Sequence, residues 1–188
     1  MKARGRPKSG ARISRELILS TAFRLLDESG HQALSMRALA KRLAVTPMAL
    51  YGHFSDWDAL VRGMSDVIYA RVVRDFEASK GRPRNQIQNL LSLYYTAIVQ
   101  FPHLTMLIFA SSMQFSKELQ QINHHLSVLL AESNLKTSKR KMWLEILVDF
   151  THGSALATAS VQRRKKVFLE TQKLRYQRQL AELLSQIF

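Results

Sequence analysis

Residues 35 to 60 read SMRALAKRLAVTPMALYGHFSDWDAL, and their pattern constrains the fold more than any other part of the chain. Apolar residues at the spacing of one helix face occupy its first part: Met36, Leu39, Ala40 and Leu43. Ser35 precedes them, in the position where a serine caps a helix N-terminus. Thr46 and Pro47 repeat this signal, because a proline at the first helical position loses no hydrogen bond. The pattern predicts two short helices joined by a turn of about three or four residues.

Such a pair of helices is typical of a DNA-binding helix-turn-helix. One apolar set is expected to fix the angle between the helices: Leu39, Ala40, Leu43, Val45, Leu50 and Phe54. A second set is then expected to face outward: Thr46, Pro47, Met48, Ala49, Tyr51 and His53. The residues that open the second helix carry no charge and are mostly small, so its backbone can enter a major groove about 12 Å wide.

Capping signals on both sides of this pair predict two further helices. Ser14 can begin a helix that runs to about Glu28, and Gly30 supplies a left-handed stop. On the other side, the second helix of the pair is expected to end near Phe54. Ser55 and Asp58 have capping-box spacing, which predicts that a fourth helix opens at Ser55.

The segment from 35 to 60 resembles the recognition segment of the TetR family of transcriptional regulators. The shared order is an apolar residue, Ser or Thr, small residues, Leu, Tyr, a variable residue, His and Phe. The likeness is detailed over residues 14 to 64 and loose over the C-terminal helices. It implies an all-α protein, with an N-terminal three-helix DNA-binding domain followed by a larger helical domain for ligand binding and dimerisation.

Carried over position by position, the resemblance implies two kinds of DNA contact. Thr46, Met48 and Ala49 are expected to approach bases, with Pro47 beside them. Ser35, Arg37, Tyr51 and His53 are expected to lie near phosphates. Trp57 stands where the family commonly has lysine, and its indole N–H is the group available there for a phosphate.

The charge of the chain points to a polyanionic partner. Its formal net charge is +14, and its first fifteen residues contain six Lys or Arg and no acid. Nucleic acid is the first candidate and an anionic membrane the second. Arg4 and Arg6, which flank a glycine, predict an arm that enters the minor groove of A·T-rich DNA. The alternative for this arm is a solvated tail.

Several classes of chemistry are excluded or disfavoured by the residues present. The chain has no cysteine, which excludes disulfides, thiolate zinc sites and cysteine nucleophiles. It also lacks a glycine-rich phosphate loop, a G-x-S-x-G elbow and an H-E-x-x-H motif. We therefore expect no enzyme, no cofactor and no metal site. Polar residues interrupt the uncharged run from 85 to 116, so we expect buried helices, no membrane partner and a cytoplasmic, nucleoid-associated protein.

The remaining sequence predicts five more helices, at about 86–100, just after Pro102, 117–132, 138–162 and 168–187. Residues 80 to 84, KGRPR, break the fourth helix and are a candidate boundary between functional parts. The expected division is a basic arm over 1–13, the helix-turn-helix domain over 14–60 and a regulatory and dimerisation domain over 61–188.

Two binding surfaces are predicted in the C-terminal part. A helix-turn-helix of this size gains specificity by pairing two half-sites, so a homodimer is expected. Its interface is predicted at Gly153, Ala157, Leu180 and Leu184, with packing inside one chain as the alternative. A ligand pocket is predicted at Tyr94, Tyr95, Met106, Phe109, Met113, Trp143, Phe150 and His152, with an ordinary core as the alternative.

These features together predict a repressor that is released from a palindromic DNA operator by a small apolar or neutral inducer. The alternative is a DNA-bound adaptor of the same fold, whose C-terminal domain binds a protein partner and not a small molecule.

Overall fold

The computed structural model describes residues 13–110, 115–161 and 166–188. Its elements in these ranges are all helices: α1 (Arg15–Ser29), α2 (Met36–Arg42), α3 (Pro47–Tyr51), α4 (Trp57–Glu77), α5 (Pro83–Gln100), α6 (Pro102–Ala110), α7 (Lys117–Ala131), α8 (Thr137–Ser160) and α9 (Lys166–Ser185). The predicted all-α fold class is confirmed. Arg4, Arg6 and Met113, named above as candidate site residues, lie outside the described ranges.

The chain divides into two compact units, Met1–Met64 and Ser65–Phe188. The division falls inside α4, close to the boundary expected after residue 60. The KGRPR segment separates α4 from α5 and lies within the second unit.

The first unit begins its helices where the sequence predicts. The Ser14 hydroxyl accepts a hydrogen bond from the Leu17 N–H at 3.2 Å, and the Ser35 hydroxyl accepts one from the Ala38 N–H at 3.2 Å. Gly30 ends α1 with a φ of 72° and donates to the Leu26 carbonyl. The positive φ is the feature that favours glycine there, although ψ is extended (178°) and not left-handed helical.

The predicted cap of α4 is wrong by one residue. Its cap is Asp56, whose Oδ1 accepts a hydrogen bond from the Ala59 N–H, while the Ser55 hydroxyl donates to Asp56 Oδ2 at 2.9 Å. That backbone bond is also the largest cause of the lowered pKa of Asp56. A carboxylate accepts from an N-terminal amide more strongly than a hydroxyl does, so the acid takes the capping position and α4 opens at Trp57.

The second unit is built around α5, which packs against α7, α8 and α9. Its buried side chains include Ile87, Leu90, Leu91, Tyr94, Tyr95 and Ile98. Tyr176 of α9 also lies in this core, where its hydroxyl shares a hydrogen bond with Thr151 at 2.8 Å and donates to the Leu91 carbonyl. Burial on several sides explains why residues 85 to 100 of α5 carry no charge.

Within the described ranges, every helix taken singly is too short or too polar to cross a membrane. Only α5 and α6 taken together have the required length and composition, and they meet at a bend of 94°.

Candidate nucleic-acid interface

The turn between α2 and α3 is held by backbone hydrogen bonds to the end of α2. The Ala44 N–H donates to the Lys41 carbonyl at 3.2 Å, and the Val45 N–H donates to the Ala40 carbonyl at 3.0 Å. Ala44 has a φ of 53°, the left-handed conformation that costs an L-residue about 1–2 kcal/mol. The turn therefore keeps its tight geometry although alanine disfavours the left-handed conformation that Ala44 has there.

The short helix α3 presents one face to solvent and buries the other. Leu50 is fully buried and Phe54, just beyond the helix, is 1% exposed, whereas Met48 is 76% exposed. Thr46 precedes the helix without using its side chain as a cap, so the hydroxyl is available on the exposed side. The arrangement leaves a narrow, uncharged ridge above an apolar base.

The residues predicted to face inward and outward agree with the observed burial, apart from small differences. Of the outer set, Thr46, Pro47, Met48 and Tyr51 are exposed, and Ala49 and His53 are half-buried. Of the inner set, Leu39, Ala40, Leu50 and Phe54 are buried, and Leu43 and Val45 are partly exposed.

Arg15 of α1 anchors the end of α3, a role that the sequence analysis missed. Its guanidinium lies 4.1 Å from the centre of the Phe54 ring, and its Nη1 donates to the His53 carbonyl at 3.1 Å. These contacts fix the chain directly after α3. A role of this kind depends on packing between distant segments, and the sequence pattern around Arg15 indicates only one more basic residue.

Gly63 of α4 is the second residue that the sequence analysis missed. A Cβ added there would lie 2.9 Å from Cε1 of Phe54 and 3.0 Å from Nη2 of Arg15. Glycine at this position therefore permits α4 to approach the cluster that supports α3.

The residues predicted to lie near phosphates belong to the start of α2, to α3 and its end, and to the start of α4. Arg37 is exposed on α2, and Trp57 is half-buried in the first turn of α4. Ser35 is exposed, but its hydroxyl already caps α2. All of these side chains belong to the first unit, as α3 does. That each of them contacts a phosphate stays a prediction.

The described part of the first unit is almost neutral. Residues 13 to 64 contain six basic and five acidic residues. One pair is neutralised by the contact between Arg42 and Glu28 at 2.8 Å. By contrast, residues 1 to 12 contain five basic residues and no acid. Most of the net positive charge of this unit therefore belongs to the arm.

Of the eight residues predicted to form one ligand pocket, the seven that the structure describes do not come together. Tyr94, Phe109 and His152 line a partly enclosed cavity, whereas Tyr95 and Phe150 line a separate groove between α8 and α9. Met106 is exposed, and Trp143 is half-buried; neither lines the cavity or this groove. Successive residues on a helix point about 100° apart, so Tyr94 and Tyr95 cannot face the same space.

The predicted dimer interface is wrong for two of its four residues. Leu180 and Leu184 are fully buried within a single chain, because this face of α9 packs onto its own unit. Gly153 and Ala157 of α8 are exposed, and a Cβ added at Gly153 would meet nothing within 4 Å.

Comparison with known proteins assigns the first unit to a family. Residues 18–64 match the family described as bacterial regulatory proteins, tetR family. The tetracycline repressor protein class C of Escherichia coli is 37% identical over 57 residues, which is 30% of this chain and 26% of the relative. The HTH-type transcriptional regulator UidR of Escherichia coli (strain K12) is 30% identical over 95 residues, which is 50% of this chain and 45% of the relative. The matched segment thus spans less than half the length of either relative.

A solved structure, that of BioQ with its natural double-stranded DNA operator, resembles the whole fold. It aligns with a TM-score of 0.65 and 21% sequence identity, and the alignment covers 90% of this chain and 99% of that one. The helix-turn-helix geometry and the match over residues 18–64 agree that this part of the chain is similar to the tetR family of bacterial regulatory proteins, and the solved structure has the same all-helical fold.

Proposed function

We propose that this chain is a transcriptional repressor that binds a palindromic DNA operator as a homodimer and is released by a small ligand. The observation that carries the proposal is the face of α3, where Thr46, Met48 and Tyr51 project from a helix that is anchored by buried Leu50 and Phe54. The DNA-bound BioQ structure supports the choice of double-stranded DNA as the partner.

The chemistry of this face favours a particular way of recognising the DNA sequence. The exposed Met48 thioether and the Ala49 methyl can contact thymine methyl groups, and the Thr46 hydroxyl can donate to or accept from a base edge. The helix has no Arg, Lys, Asn or Gln for paired hydrogen bonds to one base. We infer that specificity comes from apolar contact and from DNA shape.

The homodimer is supported by the exposed surface of α8 and α9. Small residues Gly153 and Ala157 leave room for close approach of another helix, and Val167 and Leu174 are 72% and 64% exposed on α9. An apolar surface of this kind gains stability when a second copy covers it. Sedimentation that shows only monomer at micromolar concentration would remove the dimer from the proposal.

Release by a ligand is supported by the cavity that Tyr94, Phe109 and His152 help to line. A closed core without a cavity, together with an exposed apolar face, would favour the adaptor alternative, whereas a cavity in the core supports the ligand-responsive form.

The proposal is tested by selecting bound fragments from genomic DNA with the full chain, followed by footprinting at several salt concentrations. We expect a protected site with two-fold symmetry, whose half-sites are separated by about one helical turn or a multiple of it. Fragments without a common sequence, or protection that disappears when competitor DNA is added, would contradict the proposal.

A further inference from the structure

A partly enclosed cavity of about 60 Å³ lies in the second unit, among α4, α5, α6, α7 and α8. Five of its lining side chains are polar: Tyr69, Tyr94, Thr105, Asn123 and His152. The rest of its described wall is aliphatic or phenyl. The cavity therefore combines apolar side chains with a small set of hydrogen-bonding groups, as ligand sites do.

The polar groups are centred on a hydrogen bond between Tyr94 and His152. The Tyr94 hydroxyl and His152 Nε2 are 2.8 Å apart. The Phe109 and Tyr94 rings meet the imidazole edge-on, with centroids 4.9 Å and 5.4 Å from it. The pair and the Phe109 ring thus pack together from three helices in the wall of the cavity.

None of the described lining residues carries a charge. No Asp, Glu, Lys or Arg is among them. Burial lowers the pKa of His152, and Asp149 on the same helix opposes this to a smaller extent, so the imidazole is neutral at neutral pH. Burial also raises the pKa of Tyr94 well above its usual value. A charged group placed here would lose its hydration without gaining a counter-ion.

The size of the cavity limits what can be enclosed. A volume of 60 Å³ holds about two water molecules, or a polar head group with its nearest carbons. Phe109 and Phe115 form part of the wall and are each 52% exposed, so their rings have one side toward solvent. An apolar tail that leaves the cavity can lie against these two rings.

We infer that the ligand of the repressor proposed above is an uncharged molecule with a hydroxyl, carbonyl or amide head and an apolar tail. The head enters the cavity and hydrogen-bonds to Tyr94 and His152, which makes these two side chains the determinants of ligand class. The tail binds Phe109 and Phe115. Carboxylates and amines with the same tail are rejected because the cavity offers no opposite charge.

The test measures the dissociation constants of hexan-1-ol, hexanoate and hexan-1-amine for the full chain at pH 7 by calorimetry. These probes share one tail and differ in the charge of the head. We expect hexan-1-ol to bind at least about tenfold more tightly than the other two. Equal or tighter binding of either charged probe, or no binding of the alcohol, overturns the inference.

Two adjacent tyrosines supply matched variants. Tyr94→Phe removes the hydroxyl in the cavity and is expected to weaken hexan-1-ol binding about tenfold. Tyr95→Phe removes a hydroxyl that bonds Thr158 at 2.8 Å beside the other groove, and is expected to change that binding less than about twofold. Equal effects of the two variants would show that the alcohol binds elsewhere. Since the probe series uses the unaltered protein, it decides the question even if a variant does not fold.

Operator binding without any probe separates this inference from the proposed function. If the chain binds its operator but does not distinguish the probes, the ligand class alone is wrong. If the probes are distinguished but no operator is bound, the cavity chemistry stands and the repressor proposal fails.

Discussion

Met48 on α3 is 76% exposed, and it packs little against its own unit. We expect Met48→Ala to weaken operator binding about five- to tenfold, because a lost apolar base contact is worth roughly 1–1.4 kcal/mol. The melting temperature should stay nearly unchanged. Fluorescence anisotropy measures the operator affinity, and circular dichroism measures the melting temperature.

A second exposed methionine provides the control for this substitution. Met106 of α6 is 40% exposed and lies in the second unit. Met106→Ala is expected to leave operator affinity within about twofold. If both variants lose affinity equally, Met48 does not contact DNA in the way we propose.

Burial of single residues could be predicted from the sequence where it follows helix period. Leu50 and Phe54 lie inside and Met48 outside as expected, because the period of an amphipathic helix alone decides this. Arg15 and Gly63 could not be predicted in the same way. Their contacts depend on the distance between α1, α4 and the end of α3, which no local pattern contains.

The contact between α4 and the Phe54 ring depends on Gly63. In a free helix, alanine at this position would be favoured by about 1 kcal/mol. Here the added Cβ would lie 2.9 Å from a ring that is itself buried, so we expect Gly63→Ala to lower the melting temperature despite its better helix propensity. Thermal unfolding, monitored by circular dichroism, shows whether the substitution lowers or raises the melting temperature.

Ala70, exposed on the same helix, calibrates the propensity effect. Ala70→Gly should lower stability by about 1 kcal/mol through propensity alone. A Gly63→Ala protein that melts higher than the original would show that α4 does not approach Phe54 this closely.

The turn between α2 and α3 stores strain at Ala44. Glycine has no penalty at the φ of 53° found there, although it loses more backbone entropy on folding. We expect Ala44→Gly to raise stability by about 0.5–1 kcal/mol, with operator binding preserved. Ala38→Gly, in the right-handed part of α2, should instead lower stability and serves as the comparison in the same denaturation experiment. A lower stability for Ala44→Gly would contradict the strained turn.

At the level of elements, the helices and most of their caps follow from local chemistry. Ser14, Ser35 and Pro47 mark helix starts that the structure has at or next to those residues. The start of α4 differs because Ser55 and Asp56 are both able to cap, and the sequence does not show which one accepts the Ala59 amide. The predicted pocket is divided for a related reason, since aromatic residues that are close along the chain lie on different helix faces.

At the scale of the whole molecule, the arm carries most of the net charge of the unit that contains α3. Deleting residues 1 to 12 removes five basic residues from a unit that is otherwise almost neutral. The logarithm of the operator binding constant falls with the logarithm of salt concentration by about 0.9 for each phosphate neutralised. We expect the truncated protein to show a clearly shallower slope in a salt titration.

An unchanged slope would reject a DNA-binding role for the arm and favour the solvated-tail alternative. A comparison variant that removes the same charge elsewhere, in the C-terminal region, is expected to change the slope much less. Suitable positions for such a five-charge variant are exposed basic residues of the second unit: Lys117, Lys136, Lys139, Lys141 and Arg178.

Sequence-specific recognition by the α3 face is the claim on which the repressor proposal depends. Its most direct test compares the affinity of the purified chain for its selected palindromic duplex and for a scrambled duplex of the same composition, at near-physiological salt. We expect the palindrome to be bound at least about a thousandfold more tightly. Equal retention of the two duplexes would contradict the account.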